Sequence, residues 1–397
     1  MPLIGFLATF DGNDALGLAP TELEAAACSL EGLRTTFLER TGQDAPILHT
    51  GGLELGGQKE PFTVRLELAA PFTAPTTAYP PLPHARPWQR PGWFRENLTW
   101  LEEVLDEKVQ GLEQVSTNDL GTVLRVSTAS RKAYFKTSER RLEATLTAHI
   151  ASTHPGLTPQ VIAWDAPKNL LLTEDCGSRL SETADLGLWQ SAVHKLVHVQ
   201  DTANAAPLQE HGSPSHPFDH LAERAAHFLQ DKRVLEHWIL NPQQIAALQE
   251  RLPTILAAHE RLGRLELPLL PAHGDAHPMN VLTGCGVVLF DWSDMCLAHP
   301  LLDIGWFLAW LSHPGRRSLP LRQQHSKAVE ILWAHYLQNT SLAGTRIYLS
   351  DAMLLALIHR ALAYHERYAD WQGTLKGWRP QYVPYLLRSL LKLPLER

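Results

Sequence analysis

Residues 273 to 292 read HGDAHPMNVLTGCGVVLFDW, and this stretch restricts the chain more than any other. NVL and VVLFDW flank TGCG, a glycine-containing turn, so the pattern predicts a short β-hairpin. A hairpin returns the chain on itself and brings Asn280, at the start of one strand, near Asp291, at the end of the other. Amide and carboxylate oxygens are hard donors that suit Mg²⁺. Asp275, just upstream of the turn restrained by Pro278, is placed to accept a proton from a hydroxyl group. Base, amide ligand and carboxylate ligand together make a phosphoryl-transfer arrangement. A zinc site competes, because His273, Asp275 and His277 alternate like the residues on one face of a strand. Zinc wants three protein ligands held by fixed partners, and Gly274 and Pro278 interrupt any regular strand here.

A phosphoryl-transfer site also needs a cation for the nucleotide phosphates. KAYFK offers Lys136, at the end of a predicted strand and on one face with Tyr134. Glu143, on the helix predicted to follow, can reach the ammonium in a fold of this order, with Glu139 as its rival. Taken singly, each residue reads as an ordinary surface group. Strand lysine, helix glutamate, HxDxxxxN loop and strand-end aspartate, in that order, make a set that chance rarely assembles.

The chain around these residues changes texture three times. Residues 1–78 read as an α+β accessory domain, with IGFLATF, APILHTGG and FTVRLELAA as strands. TELEAAACSLEGLRTTFLERTG reads as its helix, with Thr21 as N-cap, Glu24 as capping-box partner and Gly42 as the stop. A proline-dense stretch ending at residue 93 lacks ladder donors and reads as a linker over 79–93. Residues 94–178 open with an amphipathic helix, FRENLTWLEEVLDEK. GLEQVST, TVLRVST, KAYFKTS, PQVIAWD and NLLLTED follow as a five-stranded sheet with the helix SERRLEATLTAHIAST inserted. Residues 179–397 are helical in pattern except around residues 273–292.

At 397 residues the chain exceeds one ordinary core and predicts two or three domains. Apolar residues make up 44% and charged residues 19%, which excludes wholesale disorder. The net charge is −7 with no basic block, against a nucleic-acid groove. Cys28, Cys176, Cys285 and Cys296 lie far apart, which fits a reducing compartment. The longest apolar runs, such as AMLLALI, fall far short of the roughly 20 residues that cross a bilayer. The expectation is a cytoplasmic protein with neither a nucleic acid nor a membrane as partner.

HGDAHPMNVL, VVLFDW and the following HPLLDIGWFLAWL together resemble the aminoglycoside phosphotransferase and choline kinase family, small-molecule relatives of the protein kinases. The resemblance covers roughly residues 94 to 390 and implies an α+β, two-lobed, protein-kinase-like fold. That fold has a five-stranded antiparallel N-lobe (94–178) and a mostly helical C-lobe (179–397), here preceded by the accessory domain. It implies that ATP or GTP and Mg²⁺ bind between the lobes and that a small-molecule hydroxyl is the acceptor. By it, Asp275 is the catalytic base, Asn280 and Asp291 hold the metal, and Lys136, paired with Glu143, holds the phosphates. Backbone around Glu174 to Cys176 meets the adenine, Asp303 braces the catalytic loop from a buried position, and His273 props it. The chain departs from the pattern in places. No GxGxxG covers the phosphates, and STNDLGT leaves Gly121 alone for close backbone approach. Trp292-Ser293 follows the metal aspartate, and Met279 stands where relatives commonly have glycine. About a dozen residues separate Asp291 from Asp303, too few for a peptide-docking segment, so a protein substrate is not expected.

Other readings stay beside this one. A catalytically weak, nucleotide-binding regulatory or scaffolding relative is the alternative. A metallophosphoesterase is more remote, because GDAH lacks its GNH partner. His194 and His198 stand at i, i+4 without a third ligand and read as structural. Tyr364, His365 and Tyr368 on LIHRALAYHERYADW are candidates for acceptor contacts, with His365 and Tyr368 sharing a face. The accessory domain is faintly similar to a Nudix unit whose acidic metal-binding series is replaced by residues such as Thr35, Thr36 and Arg40. A docking or dimerising role is therefore expected for it.

Overall fold

The computed structural model describes residues 3–9, 14–23, 25–41, 43–50, 62–68, 77–78, 80, 82–340, 342, 348–371 and 381–393. The chain forms two compact units, one of residues 1–144, 161–175 and 372–379 and one of 145–160, 176–371 and 380–397.

The first unit contains two sheets. One is built from β1 (Leu3–Thr9), β2 (Asp14–Glu22), β3 (Ile47–His49), β4 (Phe62–Glu67) and β5 (Thr77–Ala78), in the order β3-β4-β1-β2-β5. Only β1 and β4 run parallel. Helix α1 (Leu30–Thr41) buries Leu33 and Phe37, one turn apart, among Ile4, Phe6, Val64 and Leu66. The predicted helix start is corrected. Thr21 pairs with Ile4 in the ladder, and α1 begins nine residues later, where Ser29 Oγ accepts from the Gly32 N–H at 3.1 Å. Glu24 and Gly42 lie outside the described residues.

Within the stretch read as a linker, Pro87–Gln89 form a 3₁₀ turn with Trp88 and Gln89 buried. Helix α2 (Trp93–Leu105) then presents Trp93, Asn97, Leu101 and Leu105 at i, i+4 spacing to the second sheet. That sheet joins β6 (Gly111–Asn118), β7 (Gly121–Ser127), β8 (Lys132–Ser138), β9 (Val161–Asp165) and β10 (Leu170–Glu174), in the order β6-β7-β8-β10-β9 and antiparallel throughout. Helix α3 (Glu143–Thr153) leaves β8, and its first two residues belong to this unit. The sheet's core contains Trp93, Phe94, Leu101, Leu124, Val126, Phe135, Leu170 and Leu172, with Trp88 and Leu48 joined to it.

The second unit is mainly helical, with α4 (Leu186–Thr202), α5 (Ala205–Glu210), α6 (Asp219–Gln230), α7 (Lys232–His237) and α8 (Pro242–Gly263) ahead of the hairpin region. Strand β11 (Leu270–Ala272) leads into the loop, β12 (Val281–Leu282) and β13 (Val288–Leu289) form the expected hairpin, and β14 (Cys296–Ala298) follows. β14 pairs back onto β11, a contact the sequence pattern did not indicate. Then come α9 (Leu301–Ser312), α10 (Pro320–Gln324), α11 (Ala328–Gln338), α12 (Leu349–Tyr368) and α13 (Tyr382–Lys392). Every residue of α9 from Leu301 to Leu311 is buried, and α12 is buried from Asp351 to Leu362. Gly305 permits their close crossing, since a Cβ there would stand 2.2 Å from the Ala352 carbonyl oxygen. Among the described residues, no helix is long and apolar enough to cross a membrane.

Candidate active site

In the first unit, the alternation of β8 buries Ala133, Phe135 and Thr137 and turns Lys132, Tyr134, Lys136 and Ser138 to the other face. Lys136 forms an ion pair with Glu143, at the first turn of α3. Glu143 is itself buried and accepts a hydrogen bond from Ser138 Oγ at 2.7 Å. Glu139 is instead paired with Arg140 at 3.0 Å. Gly121 opens β7 where no side chain fits, because a Cβ would lie 2.7 Å from the Thr137 carbonyl oxygen. Glu174 ends β10 opposite Ala133, with its side chain exposed.

The second unit holds the loop. Asp303, buried at the start of α9, accepts from the backbone N–H of His273 at 2.6 Å and of Gly274 at 3.0 Å. Burial pushes its carboxyl above the usual carboxylate range, against the opposing pull of His273 and the two N–H donors. Gly274 has φ +79°, and a Cβ there would meet the Asp294 carbonyl oxygen at 1.9 Å, so only glycine closes this turn. His273 Nε2 lies 2.9 Å from the Phe290 carbonyl oxygen, and its Nδ1 accepts from the Asp275 N–H at 3.3 Å. Both ring nitrogens are thus committed, which removes His273 as a zinc ligand. His277 accepts from the Met279 N–H and stacks on Trp310 with a centroid separation of 6.0 Å. Burial pushes the His277 imidazole below its ordinary pKa.

Asp275 is held from three sides. Trp306 Nε1 donates to Oδ1 at 2.9 Å, the Tyr364 hydroxyl donates to Oδ2 at 3.1 Å, and Arg360 stands 3.2 Å from Oδ1. Arg360 is buried and also donates to Asp294 Oδ2 at 2.9 Å. Burial alone would lower its pKa, but Asp275, Tyr364 and Asp294 hold the guanidinium well above its ordinary value.

Asn280 links the loop to the hairpin. Its Nδ2 donates to the Asp275 carbonyl at 3.1 Å, and its own carbonyl accepts from the N–H of Phe290, the residue before Asp291, at 3.0 Å. With Nδ2 spent, the amide Oδ1 is the donor atom left for a cation. Asp291 is left-handed at φ +66°, a conformation that non-glycine residues seldom adopt, and its Oδ1 accepts from Ser293 Oγ at 2.8 Å. An amide oxygen and a carboxylate at one end of a hairpin fit a hard divalent ion such as Mg²⁺.

The remaining predicted residues are less central. The Cys176 carbonyl accepts from the Gly284 N–H at 2.7 Å, and a Cβ at Gly284 would stand 2.6 Å from that oxygen. Tyr364 and Tyr368 stack one turn apart on α12. His365 does not join them. It accepts from Trp238 Nε1 at 3.1 Å and stacks on Phe228, because at position 365 the helix has turned toward α6 and α7. The sequence pattern gave Trp306, Asp294 and Arg367 no role, and it placed Arg360 on the C-terminal helix without a partner. The signals were present, a tryptophan one turn after Asp303 and a lone arginine inside the apolar run LLALIHRALAY.

An antiparallel sheet carrying a lysine–glutamate pair, and a helical unit carrying a braced aspartate loop and hairpin, define a kinase-like phosphotransferase fold. The chain belongs to the APH phosphotransferase enzyme family, whose model matches residues 114–337, more than half of its length. Similar solved structures include a choline kinase from Streptococcus pneumoniae, with 14% identity and TM-score 0.51, covering 75% of this chain and 98% of that one. A choline/ethanolamine kinase family protein from Mesorhizobium loti has 14% identity and TM-score 0.52, over 76% of this chain and 94% of that one. The GDP complex of aminoglycoside 2′-phosphotransferase-IIIa has 13% identity and TM-score 0.52, over 75% and 97%. No curated protein matches the sequence. At these identities the likeness is one of fold.

Proposed function

We propose that this protein is a cytoplasmic small-molecule kinase that transfers the γ-phosphoryl group of ATP, or of GTP, to a substrate hydroxyl with the help of Mg²⁺. The observation that carries this reading is the pair of hydrogen bonds made by Asn280, from its side-chain amide to the Asp275 carbonyl and to its own carbonyl from the Phe290 N–H. It supports a joint role for a carboxylate base, an amide oxygen and the strand-end carboxylate of Asp291. The GDP held by the aminoglycoside relative supports nucleotide use.

On this reading Asp275 receives the acceptor hydroxyl and orients it, with Trp306, Arg360 and Tyr364 fixing the carboxylate. A positioned base of this kind is worth roughly 10²- to 10⁴-fold. Asn280 and Asp291 would hold Mg²⁺, which would supply positive charge to offset that of the phosphates. Lys136, oriented by Glu143, neutralises nucleotide phosphate, and backbone near Glu174 and Cys176 receives the base. Asp303 and His273 keep the loop in shape. The first sheet with α1 acts as a docking or dimerising element.

The test is nucleotide turnover and binding in two variants. Asp275→Asn is expected to abolish transfer while binding ATP about as well as the unaltered protein. Asp291→Ala is expected to lose the Mg²⁺ dependence of ATP binding as well as turnover. Loss of ATP binding in Asp275→Asn, or Mg²⁺-dependent binding surviving in Asp291→Ala, would contradict the assignment.

A further inference from the structure

Two carboxylates and two guanidiniums pair with one another beside the proposed acceptor position. Asp294 accepts from Arg360 at 2.9 Å on one oxygen and from Arg367 at 2.8 Å on the other. Arg360 also stands 3.2 Å from Asp275. Two carboxylates thus face two guanidiniums, with the side chains of Asp294 and Arg360 each only 3% exposed.

The aromatic faces nearby are spoken for in the same way. The Arg360 guanidinium lies 4.4 Å from the centre of the Tyr364 ring, and that of Arg367 lies 5.9 Å from the centre of the Tyr368 ring. An ammonium is ordinarily received by a carboxylate without a counter-ion or by an open aromatic face. Here Asp275 and the Tyr364 ring already hold Arg360, and Asp294 and the Tyr368 ring hold Arg367. A positively charged acceptor placed at Asp275 would sit beside the Arg360 charge, where a buried setting screens repulsion poorly. An anionic acceptor fares no better, since both guanidiniums are engaged with carboxylates.

An uncharged hydroxyl meets neither obstacle. A carboxylate offers about four lone-pair positions. At Asp275, Trp306 and Arg360 take Oδ1 and Tyr364 takes one position on Oδ2. Oδ2 therefore retains a position for the acceptor O–H.

We infer that the acceptor is an uncharged small-molecule alcohol and that Arg360 and Arg367 determine this choice by neutralising Asp275 and Asp294. The inference rests on the phosphotransferase reading and narrows it.

The experiment compares matched pairs on the full-length protein with Mg²⁺ and ATP. The pairs are glucose against glucosamine and 3,3-dimethylbutanol against choline, read as phosphorylated product and as binding by calorimetry in the presence of Mg²⁺ and ADP. The neutral member of each pair is expected to be favoured at least ten-fold. In Arg367→Met, which leaves one carboxylate charge uncompensated at the more exposed of the two arginines, the ratio is expected to fall at least ten-fold or to reverse. If that variant does not fold, the ratios of the unaltered protein still decide the matter. A preference for either cationic member, or no difference within the pairs, overturns the inference. Failure of the underlying kinase reading looks different, because the protein would then show no Mg²⁺-dependent ATP binding at all.

Discussion

Gln114 on β6 treats Ile47 on β3 as a strand neighbour. Its Oε1 accepts from the Ile47 N–H at 2.7 Å and its Nε2 donates to the Ile47 carbonyl at 2.9 Å, both buried. One side-chain amide thereby pairs the backbone N–H and C=O of a residue that also belongs to the β3–β4 ladder. Nearby, Arg34 on α1 donates to the Leu112 carbonyl at 3.0 Å, and Trp88 Nε1 donates to the Asn118 carbonyl at 2.7 Å. The first sheet and the segment after it thus grip β6 along its length.

Gln114→Leu should therefore destabilise the protein well beyond a surface change. It leaves a buried donor and acceptor at Ile47 unpaired, each costing about 1–3 kcal/mol. Urea denaturation should show a lower midpoint with an unchanged slope. A midpoint equal to that of the unaltered protein would mean that the pairing contributes nothing.

Lys136→Met should raise the KM for ATP by at least ten-fold. Glu143→Gln should give a smaller effect in the same direction, because the amide can still accept from Ser138 but no longer carries the charge that pairs with the ammonium. Steady-state kinetics at fixed acceptor checks both variants. An unchanged KM in Lys136→Met would remove this lysine from phosphate binding.

Tyr364→Phe deletes the hydroxyl that donates to Asp275 at 3.1 Å and keeps the ring under Arg360. A hydrogen bond to a charged group is worth about 1.5–3 kcal/mol, so turnover should fall by roughly 10- to 100-fold. Nucleotide affinity measured separately should stay as it is.

His299 gives stability a pH dependence. Burial, reinforced by His259, pushes its imidazole down to about 4, and its Nε2 has no hydrogen-bond partner among the described residues. The unfolded chain takes up a proton near the ordinary value of about 6.5, whereas the folded chain refuses it until about 4. Stability is thus fully present above about pH 6.5 and declines as the pH falls toward about 4, by about 3 kcal/mol from this residue. Denaturation curves between pH 7.5 and 5 should be flatter in His299→Asn, whose side chain can keep the bond from the Leu301 N–H that His299 Nδ1 accepts at 3.3 Å.

Much of the site was legible in the sequence because its geometry is local. A period of two along KAYFK turns Lys136 outward, and Glu143 follows within the first turn of the next helix. TGCG between two apolar segments produces the hairpin that carries Asn280 and Asp291. What stayed hidden depends on distance along the chain. Asp294 meets Arg360 across 66 residues, and no spacing rule connects them. β11 contains a proline and β14 is three residues long, so neither has a pattern of its own until they pair with each other. The end of β2, Thr21 and Glu22, reads as a helix start because a threonine followed by glutamates resembles a capping signal. The ladder to β1 outweighed that local preference.

Successive residues of β3 serve different interiors. Ile47 packs among Phe6, Phe37 and Leu66, while Leu48 is counted with Trp93, Phe135 and Leu172. A shortened protein that starts at α2 would lack Leu48 and Trp88, two apolar plugs of the sheet that carries Lys136. Grafting this front portion onto a relative, or deleting it, would accordingly leave both fragments with a hole to fill, and inheritance would have to keep the two sheets as a matched pair.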